Sequence, residues 1–113
     1  MAESCLFCRI VRKEIPATVV AETDHCVAFR DINPQAPVHL LVIPREHVPS
    51  LEETDDPALV GRLALLAAEL AQKEGIAESG YRMVVNTNAD AGQTVFHVHL
   101  HLLGGRPMGW PPG

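Results

Sequence analysis

The apolar positions of this 113-residue chain change period along its length, and each period predicts an element. From Gln93 to Gly105 the apolar residues alternate with histidines, so an extended chain would put Val98, Leu100 and Leu102 on one face. His97, His99 and His101 would lie on the other face at ~6.6 Å steps. One face is then core, and the other carries three imidazoles with no Lys, Ser or Glu among them. Upstream, Ala17–Ala21 and Cys26–Arg30 are β-branched or apolar runs separated by Glu22–His25, a hairpin pattern. The segment from Asp31 to Pro37 contains two prolines, which remove ladder donors and restrict the residues before them, so a fixed loop is expected. His39–Ile43 resumes as a strand buried on both faces, with a histidine at its entrance and Pro44 as its stop.

Beyond it the period lengthens. Asp56 suits an N-cap and Pro57 the first helical position; Leu59, Leu63, Leu66 and Leu70 recur at helical spacing, and Gly75 offers a stop. One long amphipathic helix follows, its leucine stripe given to core packing. A short helical turn is expected after Cys5, a further strand over Tyr81–Asn86, and a turn over Thr87–Gly92 leading back to the histidine segment. The tail, Arg106–Gly113, holds too much Pro and Gly for regular structure.

Composition narrows the function classes. The length suits one domain with a modest core, taken here as residues 1–113 with 106–113 as a C-terminal tail. Aromatics are only 4% of the residues, so aliphatic side chains must fill that core. A net charge of -5 argues against general nucleic-acid binding and leaves small anions held by local donors. Met1–Cys5 has no basic stretch ahead of an apolar run, and no segment approaches 18 continuous apolar residues. A soluble, cytoplasmic protein without a membrane span is therefore expected. Three cysteines, an odd and sparse set, fit a reduced compartment better than a disulfide framework. Cys5 and Cys8 are spaced so that both sulfurs could reach one metal, yet two thiols are half of a tetrahedral zinc site. A redox pair is the competing reading of the same spacing.

Taken together, these motifs resemble the histidine triad family, whose mark is His-x-His-x-His followed by two apolar residues, here His97-Val98-His99-Leu100-His101-Leu102-Leu103. The likeness extends over Arg12–Ala17, Asp31–Pro44, Tyr81–Asn86 and Gly104–Gly113, and is to the purine-nucleotide-binding Hint branch. That branch implies an α+β fold, a five-stranded mainly antiparallel sheet with one long and one short helix. It also implies cleavage at the α-phosphorus of purine nucleoside phosphoramidates or acyl-nucleotidylates, releasing a 5′-monophosphate. By resemblance His99 is the nucleophile, His101 and His39 contact and orient the phosphate, and Thr94, where many members have Ser, meets the leaving group. An imidazole suits the nucleophile because it is neutral at pH 7 and its free nitrogen is set by what the other nitrogen bonds.

Gly92-Gln93-Thr94 is similar to the family's phosphate-binding turn, whose successive N–H groups need no basic cluster. Asn86 matches a polar site residue and Asp31 the ribose-binding carboxylate. Phe7, Ile10, Phe29 and Ile32 match the base pocket. The resemblance further implies a structural Zn²⁺ held by Cys5, Cys8, His47 and His97, with no organic cofactor. It implies a homodimer in which the Trp110 tail reaches the partner's site. Within the enzyme class the alternative is a dinucleoside polyphosphate hydrolase or phosphorylase; readings from other classes are a nucleotide-binding interaction protein and a zinc-binding adaptor.

Overall fold

The computed structural model describes residues 4–113, so the first three residues of the expected 1–113 domain, and with them most of the N-terminal stretch read above, lie outside the described residues. Helix α1 spans Leu6–Val11. Strands β1, β2 and β3 cover Val19–Glu22, Cys26–Arg30 and Val38–Pro44, helix α2 covers Pro57–Lys73, and β4 and β5 cover Tyr81–Val84 and Leu100–Gly104. The strands form one sheet in the order β1-β2-β3-β5-β4, antiparallel throughout. Each helix begins where a side chain can accept an orphan N–H. Asp56 accepts from Ala58 N at 2.9 Å ahead of α2, and Cys5 Sγ accepts from Cys8 N at 3.4 Å ahead of α1.

Strand alternation divides the core into two layers. Cys26, Ala28, Leu40, Val42, Val98, Leu100 and Leu102 pack with the Leu59, Leu63, Leu66 and Leu70 stripe of α2. Val27, Phe29, Leu41 and Ile43 point to the opposite face, where Phe7 and Ile10 of α1 cover them. β3 is thus buried on both faces, as its continuous apolar run predicts. The parity that sends Leu41 and Ile43 toward α1 also sends His39 there. Among the described residues no helix is long and apolar enough to cross a membrane.

Beyond single-residue differences, such as β1 reaching Glu22 and β3 covering Val38–Pro44, three boundaries differ from expectation. β1 begins at Val19, not Ala17, and carries a bulge: Val19 faces Phe29 while Ala21 faces Ala28, leaving Val20 as the extra residue. β4 stops at Val84, short of Asn86. The histidine segment is a strand only from Leu100, because pairing with β3 ends at Val42 opposite Leu100. Before that point Val98 N donates to Val48 O at 2.7 Å, and side chains do the rest of the anchoring. The alternation survives the loss of the ladder: Val98 is in the α2 core while His97 and His99 are buried on the α1 face.

Candidate active site and metal centre

On the α1 face five histidines and an aspartate fall into two groups, separated by the ring of Phe7. Phe7 packs edge-on against His99 at 5.0 Å and against His97 at 6.0 Å between ring centroids.

The first group is hydrogen-bonded. His39 and His101 are diagonal neighbours on adjacent strands, since His39 pairs with Leu103 and Leu41 with His101. His39 Nε2 lies 2.9 Å from His101 Nδ1 and 3.4 Å from Asp31 Oδ2. The protons follow from the partners. Gln35 N–H donates to His39 Nδ1 at 3.0 Å, so in the neutral ring the proton is on Nε2 and points at His101 Nδ1. His101 then carries its own proton on Nε2. His99 Nδ1 lies 2.7 Å from the carbonyl oxygen of His97; a carbonyl only accepts, so Nδ1 is protonated and Nε2 keeps its lone pair. Burial holds the His39 and His99 pKa values below the ordinary range against the opposing pull of Asp31. Burial, then the nearby His99 and His39, pushes His101 down to about 4. All three rings are neutral at pH 7, one offering a lone pair and one an N–H donor.

These groups open into a cavity of about 280 Å³ lined by His99, His101, Asp31 and Thr94 and walled by Phe7, Ile10, Phe29 and Ile32. Eight expected residues therefore meet there. Phe7, Ile10 and Phe29 serve core and cavity together, whereas Ile32 is a fully exposed rim residue at 99%. Leu6, Ile15, Pro16, Leu41 and Val95 also line it and carried no sequence signal, because apolar residues pack wherever they fall. Four expected residues are not on its wall. His39 sits behind His101, and Asn86 is half-buried beyond the end of β4. Gly92 closes a 3₁₀ turn at φ 87°. Gln93 spends its amide on the loop: Oε1 accepts from Asn88 N at 2.9 Å, and Nε2 donates to Pro49 O and Val95 O at 2.8 and 3.1 Å. This clamp holds Asn88 at φ 68°, ψ -173°, a conformation nearly confined to glycine, and so fixes the loop that delivers Thr94.

The second group is Cys5, Cys8, His47 and His97, whose ligand atoms all lie within 4.8 Å of one another. His97, fully buried, donates Nε2–H to Pro44 O at 2.8 Å, leaving the Nδ1 lone pair 3.5 Å from both sulfurs. Cys8 Sγ lies 3.2 Å from His47 Nδ1. Zn–S and Zn–N bonds at tetrahedral angles put S and N about 3.6 Å apart, so these separations match the edges of a zinc tetrahedron. The donors fit as well: burial and the adjacent Cys5 raise the Cys8 thiol to about 11, and a bound cation would supply the charge its thiolate needs. Asp31, His39 and His101 are also close enough to be considered for a metal. They do not fit one: two zinc-bound nitrogens should be about 3.4 Å apart, against 2.9 Å here, and Gln35 N–H already occupies the other nitrogen of His39.

A sheet with a long helix on one face and a histidine-lined cavity on the other defines the class of protein. The chain belongs to the HIT domain family, whose profile matches residues 12–108. It is 49% identical to the purine nucleoside phosphoramidase of Escherichia coli, over 96% of this chain and 93% of that one. A HIT family hydrolase from Legionella pneumophila superposes with a TM-score of 0.95 at 54% identity, covering 97% of this chain and all of the other. A zinc-bound histidine triad family protein from Mycobacterium smegmatis superposes with a TM-score of 0.83 at 33% identity, covering 94% and 78%.

Proposed function

We propose that the protein is a hydrolase of purine nucleoside 5′-phosphoramidates and acyl-nucleotidylates, acting through a nucleotidyl-histidine. The His99 Nδ1–H bond to the His97 carbonyl carries this reading, because it commits Nε2 as a neutral nucleophile facing the cavity. In the first step the Nε2 lone pair attacks the α-phosphorus and the P–N or P–O bond to the leaving group breaks. His101 Nε2–H donates to a phosphate oxygen as charge develops, and the Thr94 hydroxyl meets the leaving group, which departs with a proton taken from bulk water; the water that attacks in the next step returns that proton to solvent. In the second step water attacks phosphorus, the P–Nε2 bond breaks, and the monophosphate leaves. Asp31 takes the ribose hydroxyls, the Phe7, Ile10, Phe29 and Ile32 walls take the base, and Gly92, Gln93 and Asn86 support the phosphate loop. The similarity to a purine nucleoside phosphoramidase of E. coli supports the choice of base.

The Cys5, Cys8, His47, His97 group would hold a structural Zn²⁺, tying α1 to the segment ahead of β5; it supplies no group to the reaction. We further propose a single cytoplasmic domain with a 106–113 tail, paired as a homodimer. Trp110, 83% exposed in that tail, is the residue offered to the partner's site. The deciding assay is AMP release from adenosine 5′-phosphoramidate beside Ap4A. Preferential turnover of the phosphoramidate is expected. Faster cleavage of Ap4A would replace this reading with a dinucleoside polyphosphate hydrolase, and binding of AMP without turnover would replace it with a nucleotide-binding protein.

A further inference from the structure

The His39 tautomer depends on a backbone N–H in a loop outside the sheet, so whatever holds that loop acts on the site. Gln35 lies in the Asp31–Pro37 segment, where Asn33 N donates to Asp31 Oδ1 at 2.8 Å and Gln35 Nε2 donates to Asn33 O at 3.0 Å. Those bonds are internal to the loop. Two contacts tie it to the chain leaving β5. Gly105 has φ 90°, and a Cβ there would lie 2.9 Å from Pro37 Cβ, so only glycine lets this backbone sit so close to the Pro37 ring. The next residue, Arg106, then donates Nε–H to Gln35 O at 3.0 Å, and its Nη1 donates to Pro107 O at 3.0 Å. Its guanidinium thus serves two backbone carbonyls.

We propose that Arg106 is a positioning residue: it anchors Gln35 so that the Gln35 N–H keeps the His39 proton on Nε2, which in turn keeps the His101 proton on Nε2, facing the cavity. The order is Arg106 to Gln35, Gln35 to His39, His39 to His101. Without the Gln35 bond, His39 could carry its proton on Nδ1. Its Nε2 would then accept, His101 would turn its own proton inward to Nδ1, and the cavity would face a lone pair where phosphate needs a donor. This role rests on the proposed phosphoryl chemistry, but the tautomer is measurable without it.

The test is nitrogen-15 imidazole spectroscopy of the full chain, paired with phosphoramidate kinetics, on the parent, Arg106→Ala and Arg106→Lys. In the parent, His39 and His101 should both show protonated Nε2 and unprotonated Nδ1. Arg106→Ala should give His39 signals averaged between tautomers, with kcat lower by about tenfold and KM nearly unchanged. Arg106→Lys keeps one donor and should recover part of both. An exposed arginine contributes little to stability, so a kcat loss without a change in melting temperature separates positioning from scaffolding. A parent spectrum with protonated His39 Nδ1 would overturn the relay, and an Arg106→Ala variant with parental spectrum and kcat would overturn the role of Arg106. Absence of phosphoramidate turnover in the parent would instead count against the proposed function, and the spectra would still decide the relay.

Discussion

The two histidine groups under α1 look alike by proximity and differ in what fixes their protons. In the Cys5, Cys8, His47, His97 group, His97 gives its N–H away to Pro44 O and turns a lone pair toward two sulfurs at 3.5 Å, the spacing between two ligands of one tetrahedral metal. In the Asp31, His39, His101 group an N–H stands between two nitrogens 2.9 Å apart, a hydrogen-bond distance. Which nitrogen of each ring keeps its lone pair therefore follows from whether the other meets a carbonyl, as in His97 and His99, or an amide N–H, as in His39. His99 joins the two. It stands beside His101, with ring centroids 5.1 Å apart, and its own tautomer is set by the carbonyl of His97. The backbone of one group thus sets the His99 tautomer through one peptide oxygen.

Separate removal of each group is the strongest way to test that division. His99→Ala should lower phosphoramidate turnover by about 10³-fold or more, leaving metal content and melting temperature as in the parent. Turnover within tenfold of the parent would remove His99 from the nucleophile role. The Cys5→Ser/Cys8→Ser double variant should invert the pattern: no zinc in native mass spectra and a melting temperature lower by about 10 °C, with a smaller loss of turnover. Parent protein purified without chelator that carries no metal in the same spectra would refute the zinc proposal.

Smaller effects probe the hydrogen-bonded group alone. Its His pKa values are lowered on folding, that of His101 to about 4, so below pH 6.5 the unfolded chain binds more protons than the folded one. Their stabilising contribution is fully present above pH 6.5 and is lost as pH falls toward 4. His101→Gln should flatten part of that fall in a series of thermal melts; an unchanged slope would mean that the ring is not buried as a neutral group. Smallest is Gly105→Ala, expected to cost about 1 kcal/mol or more because φ 90° and Pro37 both oppose a Cβ. It should lower turnover while sparing zinc, and an equal loss of metal would show the two groups to be one cooperative unit.

Much of this was legible in the chain. The period-two pattern around Val98, Leu100 and Leu102 placed the imidazoles on one face, and that survived even though the ladder begins only at Leu100. The α2 boundaries followed from Asp56 and Pro57 because capping is local chemistry. Resemblance alone pointed to Gln93, as part of a phosphate-binding turn, and nothing in its residue type marked it as the clamp on Asn88. Gln35 and Arg106 gave no signal at all, because a backbone donor is present at every non-proline residue and acquires a role only from what faces it.

Sequence alone determined the layers: which positions are apolar, at what period, and that His97, His99 and His101 share one face, whereas the gathering of His39, His47, Cys5, Cys8 and Asp31 beside them is tertiary. Periodicity is carried by side-chain type, and a local backbone converts it to faces without reference to distant residues. Only the tertiary structure decided which nitrogen of each ring is free. That depends on Pro44 O meeting His97 across the fold, and on two local contacts, His97 O with His99 and Gln35 N with His39, whose backbone geometry is set by how those loops pack against the rest of the chain.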